Sequence, residues 1–207
     1  MRPVPKKKRF HHGDLRRALL DAVIDLYAKD GPHAVTMRTV AARTGVTHAA
    51  PYRHFHSKQE MLAVVAEEGF GRLRAEIVES MATREDPLDR WEEIGVAYVR
   101  FAARSPCHFR IMYSSDLADR AQFPALRDAA ADAFRLLLDV VIESQKAGRV
   151  RGGDAVELAV TAWAMMHGLA VLLLERQVTD VGRKLDQAEA LARSASRTLR
   201  EGLVAKV

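Results

Sequence analysis

The sequence predicts an all-α protein of about nine helices, and three observations lead to this prediction. The 207 residues include 33 Ala, a strong helix former, against only 12 Gly and 7 Pro. Apolar residues recur three and four positions apart over most of the chain, as on one face of an amphipathic helix. Turn and cap residues separate these segments, and no segment shows the alternation of a half-buried strand.

Composition excludes several broad classes of protein. The hydrophobic fraction of 48% and the charged fraction of 29% are those of a globular chain. The longest apolar stretch, residues 159–174, is interrupted by Thr161 and His167 and is shorter than the ~20 residues of a membrane span. The basic residues near the N-terminus precede polar ones, so we expect no secretion signal. A single cysteine, Cys107, excludes an internal disulfide, and we expect a cytoplasmic protein that does not bind membranes.

Charge is unevenly distributed along the chain. Residues 1–60 contain 12 Lys or Arg and 5 Asp or Glu, a net charge of +7. Residues 61–207 contain 20 and 22 of these, a net charge of −2. The basic first third indicates an anionic partner, nucleic acid above all, although a solvated basic tail would carry the same charge.

Helix boundaries are clearest in this basic third. A first amphipathic helix ends at Gly31, since glycine accepts a left-handed C-terminal cap and the proline that follows it cannot continue the helix. Thr36 predicts the N-cap of a second helix of about eight residues, which ends at Gly45. Thr47 predicts the cap of a short third helix. The capping box of residues 57–60 then opens a fourth helix that runs to about residue 81.

The remaining two-thirds of the chain predicts five further helical segments. Proline, aspartate and glycine mark their ends, and large apolar residues recur at helical spacing within them. They start at residues 86–87, after residue 105, at 124, at 154 and after Gly182.

The two short helices around the turn at residues 44–46 predict a helix-turn-helix over residues 36–55. Gly45 tolerates the positive φ that such a sharp reversal needs. Four apolar residues can hold the short helices against the first one: Val40, Ala41, Val46 and Phe55. The other face of the third helix is then free for a partner.

That free face carries side chains suited to a DNA duplex. Small alanines allow close approach to a groove, tyrosine and histidine donate to phosphates, and arginine binds guanine or phosphate. Helix starts favour phosphate, and a basic arm can lie in a neighbouring minor groove. The predicted DNA contacts are Thr36, Arg38, Thr47, His48, Ala49, Ala50, Tyr52, Arg53, His54 and Lys58, with Lys6, Lys7, Lys8 and Arg9 in the arm. We therefore divide the chain into an arm (residues 1–12), a DNA-binding domain (13–73) and a regulatory and dimerisation domain (74–207).

Three runs in this region resemble the N-terminal domain of the TetR family of bacterial transcriptional regulators: residues 35–47 (VTMRTVAARTGVT), 52–55 (YRHF) and 57–62 (SKQEML). The resemblance implies a sequence-specific DNA-binding regulator in which Tyr52 and Lys58 stand at phosphate-binding positions. Pro51 departs from the usual Leu or Ile and removes one N–H near the helix start, so we expect the third helix to sit slightly differently.

The C-terminal part carries a second resemblance. Residues 163–169 (WAMMHGL) are similar to a Trp-x-x-x-His-Gly pattern in one group of TetR-type ligand domains. The resemblance implies a homodimer through the last two helices, a small-molecule pocket and ligand-responsive repression at a palindromic operator. Dimerisation also has a physical reason, because two recognition elements related by a twofold axis read half-sites about 34–36 Å apart.

The residues predicted to line the pocket are mostly aromatic or apolar, and packing in the core explains them as readily as ligand binding does. They favour a small hydrophobic effector, since such pockets are lined mainly by apolar groups. The candidates are Tyr98, Phe101, Phe109, Met112, Phe134, Trp163, Met166 and His167. The alternative is a filled core in a DNA-binding protein that has no ligand or answers to a protein partner, as an activator or architectural factor.

No motif predicts catalysis, a metal or a cofactor. The chain contains no Gly-rich phosphate loop, serine elbow or zinc-protease helix. Cys107 with His108 lacks the spacing of a zinc site, and His54 with His56, which would suit a metal pair on a strand, ends a helix here and fits a phosphate contact better. We therefore expect a protein that is not an enzyme and that holds neither metal nor cofactor.

Overall fold

The computed structural model describes residues 12–177 and 187–203, and within them the chain is all-α. Eight α-helices follow one another with no strand among the described residues: α1 (His12–Asp30), α2 (Met37–Thr44), α3 (Lys58–Met81), α4 (Pro87–Arg104), α5 (Pro106–Met112), α6 (Pro124–Lys146), α7 (Ala155–Leu174) and α8 (Ala188–Leu203). The predicted basic arm and the predicted start of the last helix at Gly182 lie outside the described residues.

Local capping explains why α2 and α3 begin where they do. The Thr36 hydroxyl accepts a hydrogen bond from the Thr39 N–H at 3.0 Å, and the Thr36 N–H donates to the Thr39 hydroxyl at 2.9 Å. Gly45 closes α2 in the left-handed region, at φ 74°. The Ser57 hydroxyl accepts from the Glu60 N–H at 3.1 Å and caps α3, whose bounds are those that the sequence predicts.

The prediction of a short α-helix between the turn and α3 is wrong. The segment that follows the turn contains only a 3-10 helix, Pro51–Arg53. The Ala50 N–H donates to the Thr47 carbonyl at 2.9 Å and the Arg53 N–H to the Ala50 carbonyl at 3.2 Å, which is the spacing of a 3-10 turn. Pro51 has no N–H to donate, so the bond that residue 51 would make to the Thr47 carbonyl at the start of an α-helix is lost.

Helix α3 connects the two ends of the molecule. It packs against α1 and, farther along, against α4, α5 and α6. Its buried side chains belong to one apolar core that continues into the later helices. The helix runs without interruption past residue 73, so the domain boundary predicted there falls within a continuous helix and stays a prediction.

Helix α7 begins at the predicted Asp154 cap and is longer than the apolar stretch of residues 159–174. Its 20 residues have a hydropathy of 1.7, and by length and composition alone this helix of the described chain is able to cross a membrane. Its buried face packs against α4, α6 and α8, as in a core helix. The outer face leaves four large apolar side chains exposed: Val156, Val160, Val171 and Leu172.

Helix α8 is fastened to α4 by charge as well as by packing. The Arg193 guanidinium lies 2.9 Å from the Glu92 carboxylate and 3.1 Å from that of Glu93. Gly95 of α4 lies so close to α8 that an added Cβ would be 2.8 Å from the Ser196 hydroxyl. Both α7 and α8, the last two described helices, pack against α4.

Candidate nucleic-acid interface and effector cavity

The helix-turn-helix is built on a small apolar base. Val40 and Ala41 of α2 are fully buried, and Phe55, just past the 3-10 helix, is 1% exposed. Pro51 is buried as well, which anchors the 3-10 helix from below. Tyr52, the next residue, is 59% exposed. The Tyr52 side chain therefore points outward from a segment that the buried Pro51 and Phe55 hold in place.

The structure places most of the predicted DNA contacts on the surface. Seven are exposed: Thr36, Arg38, Thr47, His48, Ala49, Tyr52 and Arg53. Ala50, His54 and Lys58 are half-buried. Within the described part of the chain, no carboxylate lies within ion-pair distance of Arg38 or Arg53, whereas Arg43 of α2 is paired with Asp25 of α1. Two uncompensated guanidinium groups on this surface are available to an anionic partner.

Lys58 is engaged within the protein. Its ammonium lies 3.0 Å from the Asp116 carboxylate and donates to the Pro32 carbonyl at 3.2 Å. Asp116 belongs to the connection between α5 and α6, so the pair joins the first turn of α3 to the later helices. A partner 58 positions away leaves no local signal in the sequence, and the predicted phosphate contact would need this pair to open.

A cavity of about 250 Å³ lies among α3, α4, α6 and α7. Its wall is largely apolar and consists of Phe70, Leu73, Ile77, Ile94, Tyr98, Tyr113, Arg120, Arg127, Ala130, Ala131, Ala133, Phe134, Leu137 and Trp163. Three predicted pocket residues are on this wall: Tyr98, Phe134 and Trp163. The two arginines and Tyr113 were not among the predicted residues, since charged residues on amphipathic helices usually indicate a solvated face.

The other predicted pocket residues lie elsewhere. Phe101 and Met112 are fully buried in the core and line no part of this cavity. Met166 borders a gap of about 30 Å³ between α4, α7 and α8. Phe109 and His167 border a wider cleft of about 760 Å³ that also reaches Lys58 and Asp116. The spacing of aromatic and apolar residues in the sequence does not distinguish those that line the cavity from those that fill the core.

Tyr98 is the centre of a cluster of polar aromatic groups beside the cavity. Its hydroxyl donates to the Tyr113 hydroxyl at 2.9 Å and accepts from the Trp163 indole N–H at 3.2 Å. The His167 Nδ1 lies 2.8 Å from the same oxygen. Tyr113 also borders both the cavity and the wider cleft, so the cluster stands between them.

Burial keeps this cluster uncharged. It raises the pKa of the Tyr98 and Tyr113 hydroxyls and lowers the pKa of the His167 imidazole. All three groups are therefore neutral at pH 7, and they act through hydrogen bonds only. Cys107 is comparably shielded: burial raises the pKa of its thiol to about 11, and the thiol donates to the Ile24 carbonyl at 3.3 Å. Among the described residues, no group of three metal-binding side chains converges.

An exposed helix-turn-helix joined by one long helix to a helical domain with a cavity defines a DNA-binding transcriptional regulator. The family described as "Bacterial regulatory proteins, tetR family" matches residues 19–65, and "Tetracyclin repressor-like, C-terminal domain" matches residues 91–199. The chain belongs to the TetR family. Its Trp-x-x-x-His-Gly subgroup stays a prediction.

Three similar proteins each align with two-thirds or more of the chain. A solved structure of a protein with unknown function from Rhodococcus sp. RHA1 is 32% identical, with a TM-score of 0.80 over 96% of this chain and 100% of that one. The HTH-type transcriptional repressor KstR of Mycobacterium tuberculosis is 28% identical over 85% of this chain and 79% of its own. The nucleoid occlusion factor SlmA of Marinobacter nauticus is 27% identical over 67% and 70%.

Proposed function

We propose that this regulator is a cytoplasmic, ligand-responsive repressor that binds a palindromic operator as a homodimer and catalyses no reaction. The observation that carries the proposal is the exposed face of the helix-turn-helix, where Arg38 and Arg53 have no carboxylate partner among the described residues. Arg38 lies in the first turn of α2, whose free N–H groups add to the attraction for phosphate.

Specificity and affinity come from different residues of this face. Tyr52 and the start of α2 bind the phosphate backbone, which positions the protein without reading sequence. His48 and Arg53 are exposed beside small alanines, which let the chain approach base edges in the major groove. The basic arm adds contacts in a neighbouring minor groove.

The outer face of α7 supplies the dimer interface, together with α8. Val156 and Val160 are four residues apart and Val171 lies on the same side of the helix near its end, while Leu172 is exposed on the adjoining side. An apolar stripe of this length on a globular protein indicates a protein partner. A second copy of the chain fits best, because a twofold axis would bring two DNA-binding faces to one palindrome.

Helix α3 transmits the signal. It begins at the helix-turn-helix and borders the cavity with Phe70, Leu73 and Ile77. An effector that binds better to a conformation in which the two DNA-binding faces are wrongly spaced lowers operator affinity by that difference. The repressor therefore releases DNA when the cavity fills.

A regulator without a small ligand is the second candidate, and the similarity to a protein described as a nucleoid occlusion factor favours it. The cavity of about 250 Å³ favours ligand sensing instead, since a core adapted only to packing has few voids larger than a water molecule.

Selection of bound duplexes from a random DNA pool tests the DNA-binding part of the proposal. Full-length protein should enrich a twofold-symmetric site. Tyr52→Phe should bind every enriched sequence more weakly without changing the preference, by about tenfold for the phosphate bond lost in each protomer of the dimer. His48→Ala and Arg53→Ala should change which sequences are enriched. Recovery of no common site by folded protein would overturn the proposal, and an asymmetric site would remove its homodimer.

A further inference from the structure

Arg120 is a cation on an apolar wall. Its guanidinium carbon lies 5.2 Å from the centre of the Phe70 ring and 5.8 Å from that of Tyr113. One of its nitrogens donates to the Met112 carbonyl at 3.0 Å, which fixes the side chain in place. Throughout the described residues, no carboxylate lies within 4 Å of this guanidinium. A half-buried charge without a counterion is costly unless a ligand supplies one.

Arg127, on the same wall, shows the contrast. It is exposed, and its guanidinium lies 2.8 Å from the Asp128 carboxylate. Its charge is already compensated by the neighbouring residue. Of the two arginines that border the cavity, only Arg120 is left with an uncompensated charge within the described chain.

Counting hydrogen atoms in the polar cluster leads to the same side of the cavity. Tyr98 has one hydroxyl hydrogen, and it goes to the Tyr113 oxygen. The Tyr98 oxygen accepts from Trp163, and since its own hydrogen is used, the His167 Nδ1 must donate to it. Tyr113 then has a hydroxyl hydrogen that no described residue accepts. Its ring centre lies 5.8 Å from the Arg120 guanidinium carbon and both residues line the cavity, so the wall carries two donors on neighbouring side chains.

We propose that the effector is an apolar carboxylic acid, whose carboxylate binds Arg120 and Tyr113 and whose apolar body fills the cavity against Phe70, Leu73 and Phe134. This inference rests on the ligand-responsive part of the proposed function. Two donors with no acceptor select a group that only accepts, and the charge of Arg120 selects an anion over a neutral carbonyl. The apolar remainder of the wall excludes a second charged group on the ligand.

The proposal is tested by calorimetric titration of the full-length protein, free of DNA, with matched pairs of probes. Octanoate is compared with octanol and 4-phenylbutanoate with 4-phenylbutanol, so that each pair differs only in the polar group. At least one carboxylate should bind about tenfold or more tightly than its alcohol, as expected for a hydrogen-bonded charge pair. Arg120→Met keeps an apolar chain of similar length and should reduce this preference to about twofold or less.

Matched variants separate the role of Arg120 from general damage. Arg127→Met removes the other arginine of the wall and should keep the full preference. Arg120→Lys restores a positive charge and should recover part of it, whereas Tyr113→Phe should weaken carboxylate binding severalfold. Circular dichroism and thermal unfolding verify that each variant is folded.

Equal binding of a carboxylate and its alcohol, or a preference that survives in folded Arg120→Met, would overturn the proposal. So would the absence of binding by either carboxylate up to about 1 mM, an affinity too weak to regulate. Selection of DNA by the same preparation is independent of this result. A protein that selects an operator but binds no carboxylate keeps its DNA-binding function and loses this effector.

Discussion

The exposed face of the helix-turn-helix and the cavity differ in how far apart their residues lie along the chain. The face is made by residues 36–58, and its decisive contacts, such as the Thr36 cap on α2, span three positions. The cavity is made by four helices, and Phe70 and Trp163 meet on its wall across more than ninety positions of sequence. The first is a local structure that spacing alone can specify, whereas the second exists only when α3, α4, α6 and α7 have packed.

Ionic strength should separate the two regions by the largest effect. In the proposed dimer, several phosphate contacts displace counterions from the DNA, so operator affinity should fall about a thousandfold between 50 and 200 mM salt. Binding of a carboxylate probe involves one ion pair on a shielded wall and should change only a few-fold. Fluorescence anisotropy of a labelled operator and calorimetry of the probe measure both. A nearly flat response of the operator would contradict electrostatic binding by the face.

Close packing between α3 and α5 sets the next effect. An added Cβ at Gly69 would lie 2.6 Å from the Met112 sulfur and 2.9 Å from its Cγ, inside a fully buried side chain. Gly69→Ala should reduce the free energy of unfolding by about 1–2 kcal/mol, the strain of overpacking less the helix preference of alanine. Urea denaturation measures it.

Gly71, two residues on, is the matched control. Nothing lies within 4 Å of a Cβ added there, and the position is exposed. Gly71→Ala should increase the free energy of unfolding by about 0.5–1 kcal/mol through helix preference alone. An increase in the free energy of unfolding in both variants would show that packing at Gly69 does not limit stability.

These two regions also differ in what the sequence could predict. The bounds of α3 followed from Ser57 and the apolar periodicity, because a cap and a helical face are set by neighbours a few residues apart. The prediction of the third helix was wrong because Pro51 lacks the N–H that an α-helix needs there, and the segment forms a 3-10 helix instead. Phe101 and Phe134 looked alike in sequence, yet the first is core and the second is cavity wall. That distinction depends on the packing of distant helices.

Acid should destabilise the regulatory side through buried histidine. Burial lowers the pKa of His108, which also faces Arg72, Glu68 and Arg17, and its Nε2 has no hydrogen-bond partner among the described residues. The unfolded state therefore binds a proton more readily than the folded state does. Stability falls as the pH drops below about 6.5, the ordinary pKa of histidine. The contribution is at most about 1.4 kcal/mol per pH unit for one proton.

The measurement is the free energy of unfolding from pH 7.5 to pH 5 in the wild type and in His108→Gln. The variant should show a shallower decline, since glutamine does not titrate in this window. His33→Gln replaces an exposed histidine and should keep the wild-type slope. A wild-type slope in His108→Gln would mean that other groups, the half-buried His167 first, carry the acid sensitivity.

The smallest effect concerns the link between the two regions, the ion pair of Lys58 and Asp116. Its side chains are 23% and 27% exposed, so the pair contributes modestly, about 0.2–1 kcal/mol. If Lys58 leaves this pair to bind phosphate in the DNA complex, Asp116→Asn removes a competitor and should tighten operator binding about two- to fivefold. Lys58→Met should weaken it.

The double variant decides between a DNA contact and a purely internal strut. When Lys58 binds phosphate, Lys58→Met with Asp116→Asn should bind the operator as weakly as Lys58→Met alone, since Asp116 then has nothing to hold back. When Lys58 only fastens α3 to the connection after α5, both single variants should lower stability, Lys58→Met more because it also loses the bond to the Pro32 carbonyl, and operator affinity should hardly change. Weaker operator binding by Asp116→Asn would contradict the exchange of partners. The ion pair would then stabilise the conformation that binds DNA. Because both of its residues line the wider cleft, it would be the contact that couples the C-terminal helices to the helix-turn-helix.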